Sequence, residues 1–382
     1  MSILVDLAQI LPADRIKGRL IDRYSYARDA SFYRLIPELV VQPVNEKEIV
    51  DLFEFSKQVK LPLVFRAAGT SLSGQSVTDG ILVEISRHWQ DFFFDSEKGT
   101  IQVEPGIIGG VVNRRLASYG QKIGPDPASI NACMMGGIIA NNASGMCCGV
   151  KDNAYHTLDS LRFILPNGQC YDTLDDNADS QLASQSPDIH AGLLSLKKRI
   201  EGDKHLSDRI RDKYTRKNTL GYSLNAFLDY ETPIDILSHL MVGSEGTLGF
   251  ISKIRLKTLP DYPCKSTALL FFKDIRSATE NVSTLDGAGA QALELMDRAA
   301  LRSIENETGM PPEIRMLPDS AAALLCEFQA AEPTLLAKKV AAGLKILGKA
   351  KLIHPPQFTE DELTRSLYWK IRKGLLPSVG AT

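Results

Sequence analysis

Excess charge of either sign is what this sequence most plainly lacks. Its 44 lysines and arginines oppose 46 aspartates and glutamates, a net of −2 over 382 residues. Such a balance argues against a nucleic-acid binder, which carries a clear basic surplus. No apolar run nears the roughly 20 residues of a membrane-spanning helix, so no membrane span is expected. Met1 to Asp6 has no basic stretch leading into an apolar one, so no secretory leader is expected there. The six cysteines (Cys133, Cys147, Cys148, Cys170, Cys264, Cys326) include no Cys-x-x-Cys. That argues against a disulfide scaffold, a zinc ribbon or an iron–sulfur cluster within the chain, and for reduced thiols in the cytoplasm. The six histidines form no His-x-x-x-His pair, which excludes a zincin-type metal site. A Gly-x-Gly-x-x-Gly turn is also missing, which counts against a nicotinamide-binding Rossmann domain.

What is present is an ordinary globular composition, 44% hydrophobic and 24% charged, in a chain long enough for about two domains. The first forty or so residues read as polar and helical, and Leu39–Pro43 as a short strand. Asn45-Glu-Lys-Glu48 is a helix-start signature, and Ile49, Leu52, Phe53, Phe55 and Val59 give the following helix one apolar face. Leu63–Phe65 is the next strand, and a strand–helix–strand unit of this length predicts parallel pairing. Ile81–Ile85, Phe92–Phe94 and Thr100–Val103 read as strands, and Leu161–Leu165 with Gln169–Thr173 as a hairpin around Asn167-Gly168. The polar stretch from Asp175 to Arg216 predicts loops and exposed helices, and Gly249–Leu259 a closing strand. After Pro260 strands and helices alternate regularly, ending in a strand at Lys351–His354 and a helix at Glu360–Leu375. These signals predict an α+β protein: an N-terminal helical extension (1–35), a first domain (36–262) and a second (263–382).

Three segments have the composition of ligand contacts. Arg66-Ala67-Ala68-Gly69-Thr70-Ser71-Leu72-Ser73-Gly74-Gln75-Ser76 lets backbone approach closely and points several N–H groups into one concavity, as a pyrophosphate requires. Arg66 would add charge. Gly136, Gly137, Asn141, Asn142, Ser144 and Gly145 form a second small-residue cluster with amide and hydroxyl donors. Val242 to Ile251, containing Glu245 and Gly246, is a glycine-rich turn entering a strand. On the residues alone, the first also reads as an ordinary Gly/Ser surface loop, the second as tight helix packing through small residues and the third as a tight connection without a ligand.

In order and together, Tyr26-Ala-Arg-Asp29-Ala-Ser-Phe-Tyr33, the 66–76 loop, Gly124-Pro-Asp-Pro-Ala-Ser129, the 136–145 cluster and Ser244-Glu-Gly-Thr-Leu-Gly249 carry a resemblance. They resemble the FAD-binding domain of the vanillyl-alcohol-oxidase and p-cresol-methylhydroxylase (PCMH) superfamily. The branch is that of D-lactate dehydrogenases, glycolate oxidase subunits and D-2-hydroxyglutarate dehydrogenases. The resemblance implies a PCMH-type two-subdomain FAD-binding fold followed by an incomplete, ferredoxin-like substrate cap domain. It implies that residues 66–75 hold the FAD pyrophosphate and that Pro125, Asp126, Ser129 and the 136–145 cluster line the flavin and ribityl side. Glu245, Gly246 and the Ile251 backbone would lie near the adenine end. Some relatives bind FAD covalently through a histidine in the glycine-rich loop; Gln75 stands in that neighbourhood, so non-covalent FAD is expected. Trp369-Lys-Ile-Arg372 resembles the segment that supplies a substrate-carboxylate arginine, which makes Arg372 the substrate-binding candidate and Lys373 a poorer one. Glu294 and Asp297 match a family strand end, with helix capping the expected role of Asp297.

The resemblance implies oxidation of a D-2-hydroxy acid, D-2-hydroxyglutarate or D-lactate, with hydride passing from C2 to flavin N5. Electrons would leave to a protein or quinone acceptor. Relatives continue into a segment whose histidines and acid bind a divalent metal, and the long ones into an iron–sulfur region. Neither motif occurs here, so the chain is expected to be a fragment that binds FAD and turns over poorly, and no catalytic base is assigned. Two rivals stay open: a non-catalytic FAD-carrying subunit of a glycolate-oxidase-like complex, and the flavin-dependent ether-lipid synthase of the same superfamily.

Overall fold

The computed structural model describes residues 3–145, 147–306 and 310–380, with 373–380 given by backbone alone. Two compact units divide the chain, residues 3–145 with 149–259, and residues 260–380 with 147–148.

The first unit contains two sheets. In one, β1 (Ile16–Lys17), β2 (Leu39–Val41), β3 (Leu63–Arg66) and β4 (Ile81–Glu84) lie in the order β1-β2-β4-β3. β2 and β3 both run parallel to β4, which separates them, and β1 adds antiparallel at the edge. The N-terminal stretch, polar by composition, is therefore not simply a helical run. It supplies an edge strand and buries Leu7 and Leu11 in the same core as Ile49, Leu52, Ile81 and Val83.

The crossover helix Glu46–Val59 starts as its sequence predicts, with Asn45 Oδ1 accepting from Glu48 N–H at 2.9 Å. The reciprocal half of the capping box is displaced by one residue: Glu48 Oε2 accepts from Val44 N–H at 2.8 Å, because the same carboxylate is held by Arg15.

The other sheet joins β5 (Phe92–Asp95), β6 (Thr100–Val103), β7 (Gln121–Ile123), β8 (Leu158–Ile164), β9 (Cys170–Asp172) and β10 (Phe250–Pro260). Its order is β5-β6-β10-β8-β9, with β7 on β10. The helices Ala178–Gln185, Pro187–Gly202 and Lys204–Tyr214 cover it and bury Leu182, Leu193, Ile200 and Ile210. Few buried residues per helix are diluted by many polar ones, so the sequence shows an exposed stretch where the fold has packed helices. Glu46 joins the sheets: Arg162 binds it through Nε and Nη2 at 2.7 and 2.8 Å, and Ser252 Oγ donates to it at 2.5 Å.

The second unit is built on β11 (Cys264–Phe272), β12 (Ala292–Met296) and β13 (Ala322–Ala330), antiparallel in the order β11-β13-β12. Both faces of β13 are covered, so every residue of it is buried. Leu324, Cys326 and Phe328 pack with Leu336 and Leu347 of the helix Pro333–Leu347. Ala323 and Leu325 pack with Ile371 of the helix Glu362–Gly380. The strand expected at Lys351–His354 is reduced to a single bridge, Leu352 to Phe272. Pro355-Pro356 follows at once and cannot donate to a ladder.

Candidate functional site

The three small-residue segments meet in the first unit. The 66–76 loop leaves the end of β3 and turns at Gly69 (φ 68°) and Gly74 (φ 80°). Side chains are barred at both turns, since a Cβ at Gly69 would stand 2.5 Å from Arg66 Nη2 and one at Gly74 2.7 Å from the Tyr33 ring. Residues 26–33 brace the back of the loop. Ala30 N–H donates to Gly69 O at 3.1 Å, and Ser76 Oγ to Asp29 Oδ2 at 3.1 Å. Ser71 Oγ accepts from the N–H groups of Ser73 and Gln75, while the N–H groups of Gly69, Thr70, Ser71 and Leu72 have no partner among the described residues. A row of unpaired amides on a Gly/Ser loop is an anion-binding concavity.

The second segment begins in the short helix Met135–Ala140. The third docks on the carboxyl end of that helix: Gly243 N–H donates to Ile139 O at 3.1 Å and Glu245 N–H to Ala140 O at 2.8 Å. Glu245 is held at φ 52°, followed by Gly246 at φ 75°. Its carboxyl accepts from Asn141 Nδ2 at 2.6 Å, and burial raises its pKa above the usual carboxylate range.

These segments enclose a cavity of about 480 Å³. Of the residues singled out from the sequence, Ala67, Ala68, Gly69, Thr70, Ser71, Leu72, Ser73, Gln75, Ser129, Gly136, Gly137, Asn141, Glu245, Gly246 and Ile251 line it. Arg66, Gly74, Pro125, Asp126, Asn142, Ser144 and Gly145 do not. Arg66 is committed to the back of the loop: its Nη1 donates to the carbonyls of Tyr26 and Ser76 at 3.2 and 3.3 Å, and its guanidinium lies over the Tyr26 ring. Gly74 is pressed on Tyr33. Pro125 and Asp126 stand outside the lining; Asp126 instead packs on Gly145, where a Cβ would run into its Oδ1 and backbone carbonyl. Asn142, at φ 51°, accepts from Tyr155 N–H at 3.2 Å and donates to Asn218 O at 3.4 Å. Ser144 is buried, its hydroxyl without a partner among the described residues.

Phe65, Pro105, Met134, Thr219, Leu220, Gly221 and Phe250, passed over in the sequence, also line the cavity, as does Cys133. Gly221 (φ 75°) was the available signal, a turn glycine at the end of the polar stretch. Burial pushes the Cys133 thiol up, so it stays protonated.

The cavity suits FAD on three observations. Its donors are backbone amides and hydroxyls, and none of the lining residues is lysine or arginine, so a diphosphate would be held by N–H groups. A Cβ at Gly137 would meet only Ala67 at 3.9 Å, and one at Gly246 only Phe65 at 4.0 Å, so both glycines keep space open where a ligand can lie on backbone. Phe65, Ile85 and Phe250 supply apolar surface for rings.

In the second unit, Arg372 Nε contacts Glu294 Oε2 at 2.6 Å. The side chain of Lys373 lies outside the described residues. Asp297 caps the helix Arg298–Ile304, accepting from Ala300 N–H at 2.7 Å.

Residues 37–174 match the FAD binding domain family and residues 263–382 match the family described as FAD linked oxidases, C-terminal domain. The chain is 28% identical over 289 residues to D-2-hydroxyglutarate dehydrogenase of Escherichia coli (strain K12), an alignment covering 73% of this chain and 28% of that protein. It is 25% identical over 388 residues to glycolate oxidase subunit GlcD of the same strain, covering 99% of this chain and 65% of GlcD. It thus spans less than two thirds of the length of either. Among solved structures, alkyldihydroxyacetonephosphate synthase shares the fold, with a TM-score of 0.65 at 14% identity over 97% of this chain and 63% of that one. Among the described residues no helix is long and apolar enough to cross a membrane. The chain thus carries an FAD binding domain over residues 37–174, followed over residues 263–382 by a C-terminal domain of the FAD linked oxidase type.

Proposed function

We propose that this protein oxidises a D-2-hydroxy acid, D-2-hydroxyglutarate or D-lactate, to the 2-oxo acid and passes the electrons to a protein or quinone acceptor in the cytoplasm. The observation that carries the reading is the row of unpaired amides at Gly69–Leu72 facing a cavity kept open at Gly137 and Gly246. It stands in a chain whose relatives are named for D-2-hydroxyglutarate and glycolate chemistry. Bound FAD supplies the acceptor for the hydride that leaves the substrate's C2. The Gly69–Leu72 amides, with the Thr70 and Ser73 hydroxyls, hold its diphosphate. Ser129, Gly136 and Gly137 flank its flavin side, and Glu245, Gly246 and Ile251 its adenine end. Gln75 offers no imidazole for a covalent link, so the cofactor is non-covalent. Arg372 receives the substrate carboxylate.

The test is anaerobic mixing of the FAD-loaded protein with each enantiomer of 2-hydroxyglutarate and lactate. Bleaching of the flavin by a D-acid and not by its L-enantiomer is the expected result. A tightly bound flavin that all four acids leave oxidised would contradict the catalytic reading and favour an FAD-carrying subunit.

A further inference from the structure

One end of a sheet face in the second unit is polar where packing alone would make it apolar. On the face covered by the helix Glu362–Gly380, the rows nearest β12 Met296 are Phe271, Ala323 and Met296, then Leu269 and Leu325. The next row carries Thr267 and Glu327, and the one beyond it Gln329. Thr267, Glu327 and Gln329 are 0%, 2% and 4% exposed. Glu327 accepts three hydrogen bonds, from Thr267 Oγ1 at 2.6 Å, Gln329 Nε2 at 2.7 Å and Trp369 Nε1 at 2.7 Å. That acceptor-only pattern is a carboxylate's, yet no lysine or arginine among the described residues pairs with it. Burying a carboxylate without a cation is unfavourable, and an apolar residue of the same size would fill the place at lower cost. Of its three donors only Trp369 belongs to the covering helix, so the indole is what the carboxylate fixes to the sheet.

Trp369 and Arg372 are three residues apart and so share one side of that helix. Arg372 is tied down separately, through Nε alone, by Glu294 on β12. A guanidinium held by Nε still has its two terminal nitrogens for another carboxylate, end-on. Resting on the reading of Arg372 given above, we propose that Glu327 and Glu294 are positioning residues. Glu327 sets the rotation of the helix through the Trp369 indole, and Glu294 sets the guanidinium, so that Arg372 meets the substrate carboxylate with its terminal nitrogens only.

The FAD-loaded protein and four variants test this. Glu327→Gln keeps an acceptor for Trp369, since Gln329 can turn its amide to match; Glu327→Leu removes it. Trp369→Phe keeps the ring and removes the donor, and Glu294→Gln weakens the tie to Nε. The readouts are the Arg372 Nε–H signal in a proton–nitrogen NMR spectrum, which needs no ligand, and the dissociation constant for D-2-hydroxyglutarate by calorimetry. The Arg372 signal is expected in the wild type and Glu327→Gln and to be lost in the other three, with affinity at least tenfold weaker in those three and within threefold in Glu327→Gln. Thermal melts identify any variant that merely unfolds. If Glu327→Leu and Trp369→Phe fold and keep both signal and affinity, the positioning role is overturned. If the signals behave as expected but even the wild type binds no hydroxy acid, the positioning stands and the substrate reading of Arg372 fails.

Discussion

Adjacent glycines at the cavity have opposite reasons to be glycine. At Gly136 a Cβ would lie 2.7 Å from Pro105 Cβ, whereas at Gly137 nothing stands closer than 3.9 Å. Gly136→Ala is therefore expected to cost about 1–3 kcal/mol of stability, read from denaturant midpoints. Gly137→Leu should leave that midpoint unchanged and weaken FAD by about two orders of magnitude, or about 3 kcal/mol. Equal FAD affinity in Gly137→Leu and the wild type would remove this glycine from the site. His239 is a second case in which environment decides. It is 7% exposed, stacked at 3.8 Å on Tyr230, with Nδ1 on Asp235 O at 2.8 Å and Nε2 without a partner among the described residues. Burial holds its imidazole down to about 4. A folded pKa below the unfolded one means that the unfolded chain takes up the proton first. Stability should thus fall by about 3 kcal/mol as pH drops from 6.5 towards 4 and level off below. Urea midpoints of wild type and His239→Gln across that window check the sign; parallel curves would exclude His239 as the source.

Among the elements, the helix Glu46–Val59 shows what sequence can and cannot convey. Its cap at Asn45 and its face of Ile49, Leu52, Phe53 and Phe55 are local patterns, and the structure has both. That Glu46 would bind Arg162 and Ser252, more than a hundred residues away in sequence, is a property of the assembled sheets and leaves no local mark. The Arg162 hydrogen bonds hold the Glu46 carboxyl below the usual carboxylate range. Its contribution is present above the ordinary glutamate pKa and is lost as pH falls through the lowered one. Glu46→Gln should cost about 2 kcal/mol at neutral pH and much less in acid. The site divides likewise. Glycines that permit backbone approach were legible as composition, so about half of the cavity wall was named from the sequence. Arg66 and Asn142 lie outside the cavity wall, because whether a polar side chain faces a ligand or braces its own loop depends on residues 26–33, 155 and 218. Thr219 to Gly221 were missed because their neighbours are polar and carry no periodicity.

For the whole molecule, the account rests on a first unit that builds an FAD cavity from three distant segments and a second that carries Arg372 on a braced helix. Each piece is ordinary alone; the collinear order of the segments along one chain gave the family away. The most direct measurement is to incubate the purified protein with FAD, remove the excess, record the visible spectrum, and precipitate the protein with acid. One flavin per chain, released entirely into the supernatant, is the predicted result. A chain that retains no flavin, or a precipitate that keeps it covalently, would contradict the claim that these loops form a non-covalent FAD site.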